Sequence, residues 1–207
     1  MLKALNKVKL KEQECLQAIA EQHFSPLLPT GFRTRPLNEA DLSNILSLQA
    51  ILSKNGSLKQ NTEEMILKSM ENGVWIGIFN DDILVAYTAL EFEMEGDACL
   101  IYFKVTAKNT PLLKGIQEAS FRLRIDVGKH IVNASHYLYV GGYCTVQNGN
   151  LYSERNIVNA ELTRILHVKA LYSSSPGGDR DIYACGDLQF LADTLKKRWV
   201  SKIISES

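Results

Sequence analysis

The stretch Phe32-Arg-Thr-Arg-Pro-Leu-Asn-Glu-Ala-Asp-Leu42 joins a short β-forming run to the start of a helix. Pro36 ends the run, because proline has no backbone N–H to donate to a sheet. Asn38 is a good N-cap for a helix that extends to Ile51. The apolar residues of that helix cluster on one side, at Leu42, Ile45, Leu46 and Leu48. A strand followed by a capped helix is therefore predicted here.

A β-hairpin is predicted further along the chain. The runs Val74-Trp-Ile-Gly-Ile-Phe79 and Ile83-Leu-Val-Ala-Tyr-Thr-Ala-Leu90 are rich in β-forming residues, and the polar turn Asn80-Asp-Asp82 joins them. Two apolar runs separated by three turn residues are a good hairpin signal. A short helix at 62–70 precedes the hairpin, closed by Asn72-Gly73.

The rest of the chain alternates between strands and helices. Further strands are predicted at 98–105, 137–146 and 181–185, and further helices at 111–125, at 156–172 and after Asp187, a good N-cap. Gly141-Gly142 interrupts one strand, which indicates a bulge or a close approach by something else. This order predicts an α/β or α+β fold in a single layer system.

The N-terminal residues form a separate segment. Residues 1–24 have the apolar spacing of an amphipathic helix, and the prolines and glycine of 24–31 mark a linker. Two segments are therefore expected: a helix with its linker at 1–30 and a main domain at 31–207. The helix packs either on the main domain or on a second copy, so a homodimer is left open.

Composition argues against several classes of partner. The 23 basic side chains balance 23 acidic ones, which gives no general reason to expect nucleic acid or an anionic membrane. No apolar run approaches the roughly 20 residues that span a bilayer, and no signal peptide is evident, so a cytoplasmic protein is expected. The four cysteines and four histidines are scattered along the sequence, and no metal site is predicted.

The order of elements resembles the GNAT (N-acetyltransferase) superfamily. Residues 32–42, continuing to Ile45, Leu48 and Gln49, are similar to its first strand and helix, in which R-x-L/A-x-x-x-D-L-x-x-I is common, and 74–90 is similar to the following hairpin. The resemblance implies a mixed central sheet flanked by helices, here with an extra N-terminal helix. It also implies acyl-CoA-dependent N-acyl transfer, with acetyl-CoA or another acyl-CoA as co-substrate and a small-molecule or protein amine as acceptor.

The resemblance also implies a cofactor loop. GNAT proteins carry a Q/R-x-x-G-x-G/A turn after a splayed fourth strand, where backbone N–H groups and a helix N-terminus hold the pyrophosphate. The strand would be 137–146 and the turn would fall in 147–160, where Arg155-Asn-Ile-Val-Asn-Ala160 is the closest match, with Val158 in place of a glycine. The alternative is a plain surface loop before a helix. The cofactor-binding residues implied are Cys144, Thr145, Val146, Arg155, Asn156, Val158 and Ala160.

Candidate acid–base groups follow from the same resemblance. Acyl transfer to an amine needs a base for the ammonium proton and an acid for the leaving thiolate. Glu91 and Glu93 follow the hairpin on one face and are the candidate bases, acting through a water; the alternative is an acidic edge strand in solvent. Tyr183 is the preferred acid, with Tyr143 also noted, and the alternative for either is a packing residue.

Other interpretations stay open. Cys144 beside Gly141-Gly142 could be a nucleophile, with His136 or His167 as its base. The chain could also be a GNAT-like domain that has lost its cofactor and acts as a binding or assembly module. A third alternative is an unrelated α/β enzyme with the same order of elements, which a closed or fully parallel sheet would favour.

Overall fold

The computed structural model describes residues 2–54, 60–147, 150–169 and 179–205. Its α-helices are α1 Leu2–Lys11, α2 Gln13–Phe24, α3 Leu42–Lys54, α4 Glu63–Glu71, α5 Ile116–Ala134, α6 Leu151–Asn159 and α7 Leu188–Ser205. Its strands are β1 Phe32–Pro36, β2 Gly73–Asn80, β3 Ile83–Glu95, β4 Ala98–Lys108, β5 Leu138–Gln147, β6 Thr163–Val168 and β7 Arg180–Gly186. Short 3₁₀ turns lie at Ser25–Leu27 and Glu39–Asp41.

The seven strands form one mixed sheet in the order β1-β2-β3-β4-β5-β7-β6. Neighbouring strands are antiparallel except β4 and β5, which are parallel. A parallel pair needs a crossover, and α5 supplies it. The predicted mixed α/β sheet is confirmed, and the sheet is neither closed nor fully parallel.

Helices cover both faces of the sheet. On one face, side chains of α2 and α5 share a core with alternate residues of β2 to β5. This core contains Leu16 and Phe24 of α2, Val127 of α5, and Ile101 and Phe103 of β4. On the other face, α3 and α4 cover the first strands around Trp75 and Tyr87. The helix α7 covers the last strands on that second face, through Leu191, Leu195 and Trp199.

The front of the chain folds as its local signals predict. Oδ1 of Asn38 accepts from the N–H of Ala40 at 2.9 Å and caps the 3₁₀ turn that leads into α3. The carboxylate of Asp41 accepts from the N–H of Asn38 at 3.1 Å and from Arg35 at 2.6 and 2.8 Å, tying β1 to the start of α3. The hairpin of β2 and β3 is confirmed.

The N-terminal residues form two helices that break at Glu12. Leu5, Leu16 and Phe24 are fully buried in the core that contains α5. The Nζ of Lys9 donates to the carbonyls of Met70 and Gly73, at 2.6 and 3.0 Å, where α4 meets β2. Within the part of the chain that is described, no helix has both the length and the apolar character needed to cross a membrane.

Gly141-Gly142 marks a close approach, as predicted. The register of β4 and β5 shifts between Cys99 and Leu100, so that Val140 is an extra residue before the glycine pair. A Cβ at position 142 would lie 2.2 Å from Cζ of Phe103, and Gly141 has a φ of 142°. Glycine is therefore required for β5 to lie against Phe103.

Two predicted helices have different bounds. The predicted helix at 111–125 begins only at Ile116, after a left-handed Gly115, and continues to Ala134. The predicted helix at 156–172 is wrong: α6 spans Leu151–Asn159, and 163–168 forms β6, while 170–172 lie outside the described residues. The reason is tertiary, because β6 pairs along its length with β7 and the backbone turns at Glu161, whose φ is 67°.

Candidate active site

The site begins where β4 and β5 part. Their parallel pairing runs from Ala98 and Leu138 to Tyr102 and Tyr143, although both strands continue beyond that pair. Just past this point Lys104 is the extra residue of a bulge, since Phe103 lies opposite Leu90 but Val105 lies opposite Ala89. A bulge bends its strand, and here it lies just past the point where β4 stops pairing with β5. The two strands therefore leave an opening in the middle of the sheet.

A cleft of about 210 Å³ lies at this opening. One side, named here the α5 wall, consists of 103–106 of β4 together with Gln117, Phe121 and Arg124 of α5. The other side, named the α6 wall, consists of 144–147 of β5 together with Asn150, Ser153 and Ile157. Of the predicted cofactor residues, Cys144, Thr145 and Val146 line the cleft.

The turn between β4 and α5 lies at the start of the α5 wall. The Nζ of Lys108 donates to the carbonyl of Leu113 at 3.0 Å, and the N–H of Lys114 donates to Leu112 at the same distance. Gly115, with a φ of 76°, occupies the N-cap of the 19-residue α5. A long helix thus begins at the cleft, with unsatisfied N–H groups in its first turn.

This geometry corrects the sequence interpretation of strand order. Residues 137–146 were predicted to supply the fourth strand of the GNAT pattern, but they form β5, and the fourth strand is β4. The turn after the fourth strand is 109–115, so the comparable run is Leu112-Leu-Lys-Gly-Ile-Gln117, which carries a glycine at its fourth position. The sequence interpretation did not include Gly115 of this turn among the site residues, nor Gln117, Phe121 and Arg124 of the α5 wall. A strand, a glycine-containing turn and a helix follow each other there and could have indicated them.

Arg124 is the most deeply buried charge of the α5 wall, with 2% of its surface exposed. Its Nε donates to the carbonyl of Ser120 at 2.9 Å, and its guanidinium lies over the rings of Phe121 and Phe103. A terminal nitrogen also faces the carbonyls of Val105 and Ala89, at 3.4 and 3.5 Å, beside the bulge. Among the described residues no carboxylate forms an ion pair with it, and burial lowers the pKa of Arg124 to about 10.

The α6 wall has a shorter helix. Oδ1 of Asn150 accepts from the N–H of Ser153 at 3.1 Å and caps α6. The predicted cofactor residues Arg155, Asn156 and Val158 lie on α6 but do not line the cleft, and Ala160 is buried at the helix end. The structure thus places the predicted residues of β5 in the cleft and those of α6 outside it.

Cys144 lies on the wall but in an environment that favours the thiol. Its exposed surface is 4%, and burial raises the pKa of the Cys144 thiol to about 12, although the charge of Arg124 opposes this rise. A reactive cysteine needs a lowered pKa. Nδ1 of His167 lies 3.0 Å from Oδ1 of Asp181, and His136 is exposed just beyond α5. The geometry therefore disfavours a nucleophilic Cys144.

Tyr183 stands behind the α6 wall on β7, opposite Cys144 in register. Its hydroxyl donates to the carboxylate of Glu154 on α6, and it does not line the cleft. Burial, with the nearby Glu154 carboxylate, raises the pKa of Tyr183 above its ordinary value. The bond ties α6 to the sheet.

Glu91 and Glu93 lie on the other face of the sheet. Leu90 and Phe92, which alternate with them, pack in the core that contains α5. Glu91 lies opposite Tyr102, where the β4–β5 pairing ends, and forms an ion pair with Lys104.

Glu93 is held by two donors. The hydroxyl of Tyr143 donates to its carboxylate at 2.9 Å, and Arg198 of α7 forms an ion pair with the same oxygen. Burial, together with the charge of Glu93, raises the pKa of Tyr143 above its ordinary value. The two predicted bases thus share one face but have different partners.

Comparisons with known proteins identify the fold. No protein-family model matches the chain, and no curated protein matches its sequence. Among solved structures, Arabidopsis thaliana NAA60 in complex with acetyl-CoA superposes with a TM-score of 0.59 at 13% identity, covering 75% of this chain and 98% of that one. A GNAT-family acetyltransferase from Streptococcus pneumoniae gives 0.57 at 10%, covering 75% and 98%. The ribosomal-protein-S5-alanine acetyltransferase of Vibrio fischeri gives 0.57 at 10%, covering 77% and 95%. The chain therefore has the GNAT fold.

Proposed function

We propose that the protein is an acyl-CoA-dependent N-acyltransferase that transfers an acetyl group to a small-molecule amine or a protein amino group. One observation carries the proposal: in a GNAT fold, the parallel strands β4 and β5 part after Tyr102 and Tyr143, and the opening leads into a cleft between α5 and α6. Similarly folded proteins include one in complex with acetyl-CoA and one that is a ribosomal-protein-S5-alanine acetyltransferase.

The two walls suit an acyl-CoA. Where the strands part, their backbone N–H and C=O groups no longer pair with each other. The amide-containing arm of an acyl-CoA can form hydrogen bonds with them, as an added β-strand would. The first turn of α5, after Gly115, offers N–H groups to the pyrophosphate. Leu112 and Gln117 depart from the family pattern, so this contact would rest on backbone groups.

Arg124 supplies charge for the leaving group. Its guanidinium lies near enough to Cys144 to oppose the rise in that thiol's pKa. The same field would stabilise a coenzyme A thiolate in the cleft, because charges interact strongly where water is excluded. Stabilising the departing thiolate lowers the barrier to acyl transfer, whether or not an acid protonates it.

The acceptor would approach from the opposite face. Glu91 lies beside Tyr102, where the sheet opens, and Glu93 lies two residues further along β3. A carboxylate there can take the proton of an ammonium group through a water. We favour Glu91, because it lies at the opening and is paired with Lys104 alone among the described contacts, whereas Tyr143 and Arg198 both hold Glu93. Tyr183 stays the acid predicted from the sequence, but its hydroxyl donates to Glu154 behind the α6 wall and does not line the cleft, so Arg124 carries the leaving-group role in this proposal.

Calorimetric titration with acetyl-CoA tests the proposal. Ser153 lines the cleft on α6, whereas Val158 is exposed on the same helix and does not. The variant S153Y should fill the cleft and abolish the binding heat, whereas V158Y should bind as the wild type does. Melting temperatures of both variants check that they fold.

Each outcome has a meaning. Binding that S153Y removes and V158Y preserves supports the proposal, and panels of amines and peptides then identify the acceptor. Absence of heat with the wild type, or equal binding by all three proteins, would overturn it. The second candidate, a cofactor-free binding module, would then be preferred, and the departures at Leu112 and Gln117 favour it.

A further inference from the structure

Three potential metal ligands meet at the crossing of α2 and α5. They are Glu12, Cys15 and His130, and their ligand atoms all lie within 4.8 Å of one another. The Nε2 of His130 is 2.7 Å from Oε2 of Glu12. Because 118 positions separate these two residues, only the fold brings them together.

The backbone prepares this arrangement on the α2 side. Glu12 is the N-cap residue of α2, and its carbonyl accepts from the N–H of Leu16 at 2.9 Å. Cys15, three residues further, is therefore on the same side of the helix. The Sγ of Cys15 accordingly lies within 4.8 Å of a carboxylate oxygen of Glu12.

The donor set has the chemistry of a zinc site. A thiolate, an imidazole and a carboxylate bind Zn²⁺ at about 2.0 to 2.3 Å, which places tetrahedral ligand atoms roughly 3.5 Å apart. Rotation of exposed side chains can give that spacing here, since the side chains of Glu12 and His130 are 28% and 33% exposed and Cys15 is exposed. Solvent can then fill a fourth position.

Charge also balances. The Glu12 carboxylate and a Cys15 thiolate together neutralise a divalent ion, and His130 can bind as a neutral imidazole. On binding, the thiol proton leaves to solvent and the metal takes its place. Thiolate ligands favour zinc over magnesium or calcium.

We propose that Glu12, Cys15 and His130 form a Zn²⁺ site that clamps α2 to α5. His130 lies six residues beyond Arg124 on α5, about 9 Å of helix rise, so the metal is bound outside the cleft. Its function is to hold the N-terminal helices on the helix that forms the α5 wall. The site is independent of the proposed acyltransferase activity.

The chain contains a matched control. His23 and Asp126 join the same two helices, with Nε2 and Oδ2 2.8 Å apart, and the described residues place no third ligand beside them. A variant that removes His23 therefore cuts an equivalent histidine–carboxylate contact but leaves the proposed site intact.

Zinc titration of the full chain tests the site. Protein stripped with EDTA is titrated with ZnCl₂ by calorimetry, and in parallel with CoCl₂ by absorption spectroscopy. We expect one equivalent of Zn²⁺ to bind, a thiolate-to-cobalt charge-transfer band, and a higher melting temperature with zinc. C15S and H130A should lose the stoichiometric binding, C15S should also lose the charge-transfer band, and H23A should retain all three effects.

Other outcomes overturn the proposal. These are less than one equivalent bound by the wild type, a cobalt spectrum that is unchanged in C15S, or equal weakening by H23A and H130A. Circular dichroism of the three variants, none of which replaces a fully buried residue, shows that lost binding is not lost folding. Acetyl-CoA binding is measured separately, so the two proposals can fail independently.

Discussion

The two walls of the cleft differ in how firmly they are anchored. The α5 wall belongs to a 19-residue helix with nine buried residues, and it contains the buried Arg124. The α6 wall belongs to a nine-residue helix that buries only Ile157 and is tied to β7 through Glu154 and Tyr183. Buried apolar contacts set local stability. We therefore expect the α5 wall to be a rigid surface for a ligand and the α6 wall to adjust.

The largest effect is expected where the walls meet, at Gly142. In G142A the new methyl group would contact the ring of Phe103, which is itself packed against Phe121. Overpacking of this kind costs about 1–3 kcal/mol. Urea denaturation should show the loss, whereas S153A on the α6 wall should change the free energy of unfolding by less than about 0.5 kcal/mol. Equal stability of G142A and the wild type would contradict the close contact.

Arg124 should affect the reaction more than stability. R124M removes a buried charge whose hydrogen-bond partners among the described residues are carbonyls and a hydroxyl, so no buried countercharge is left unpaired. If its charge stabilises the thiolate, kcat should fall roughly tenfold or more, the equivalent of about 1.4 kcal/mol. The control is K129M, because Lys129 is exposed on the same helix and does not line the cleft. A normal kcat in R124M would remove this charge from the mechanism.

Tyr183 tests the anchor of the α6 wall. Y183F loses the hydrogen bond to Glu154, which should lower the free energy of unfolding by about 1 kcal/mol. If the hydroxyl is only an anchor, the rate at saturating substrate and its pH profile should stay unchanged. A fall in kcat with loss of the high-pH limb would instead support the predicted acid. Y152F, at an exposed tyrosine of α6, serves as the control.

Hydrogen exchange compares the walls directly. Amides of α6 at 151–159 should exchange faster than those in the middle of α5, because α6 buries so little. Acetyl-CoA should slow exchange in α6 more than in α5. Equal protection of both helices without ligand would show that the two walls are equally firm.

The smallest effect is expected at Cys144. Its raised pKa keeps the thiol protonated, so C144A should retain kcat within about twofold. Iodoacetamide should label the exposed Cys15 before Cys144. Loss of activity in a folded C144A would restore the nucleophile hypothesis.

The sequence predicted the site unevenly, and the turn after β4 shows why. Pro111 is a favoured residue in the first turn of a helix, so the predicted helix began there and included 111–115. The helix begins only after Gly115, whose positive φ gives a left-handed backbone conformation that a right-handed helix cannot include. Because the sequence predicts a helix through that turn, the family pattern is expected in the next loop, 147–160. The cleft residues of β5 were found, but those of α5 were not.

The region after β5 was misread for a different reason. Ile157, Ala160, Leu162, Ile165 and Leu166 fit an apolar helix, and a short apolar run cannot separate helix from strand. Pairing with β7 decides that 163–168 is a strand, and because it joins residues 12 to 21 positions apart, from Val168 with Arg180 to Thr163 with Ala184, no local pattern predicts it.

The resemblance to the GNAT superfamily predicted the fold that the structure confirms. By itself, the sequence determined the front of the sheet and most of the order of strands and helices. Those features depend on caps, turns and apolar spacing, which act between residues a few positions apart. Only the tertiary structure decided where β4 and β5 part, that Arg124 lies buried beside that opening, and that Glu12, Cys15 and His130 meet. These positions are set by packing between segments that are distant in the sequence. The burial of Arg124 and the spacing of the three potential metal ligands arise only when those segments are in contact.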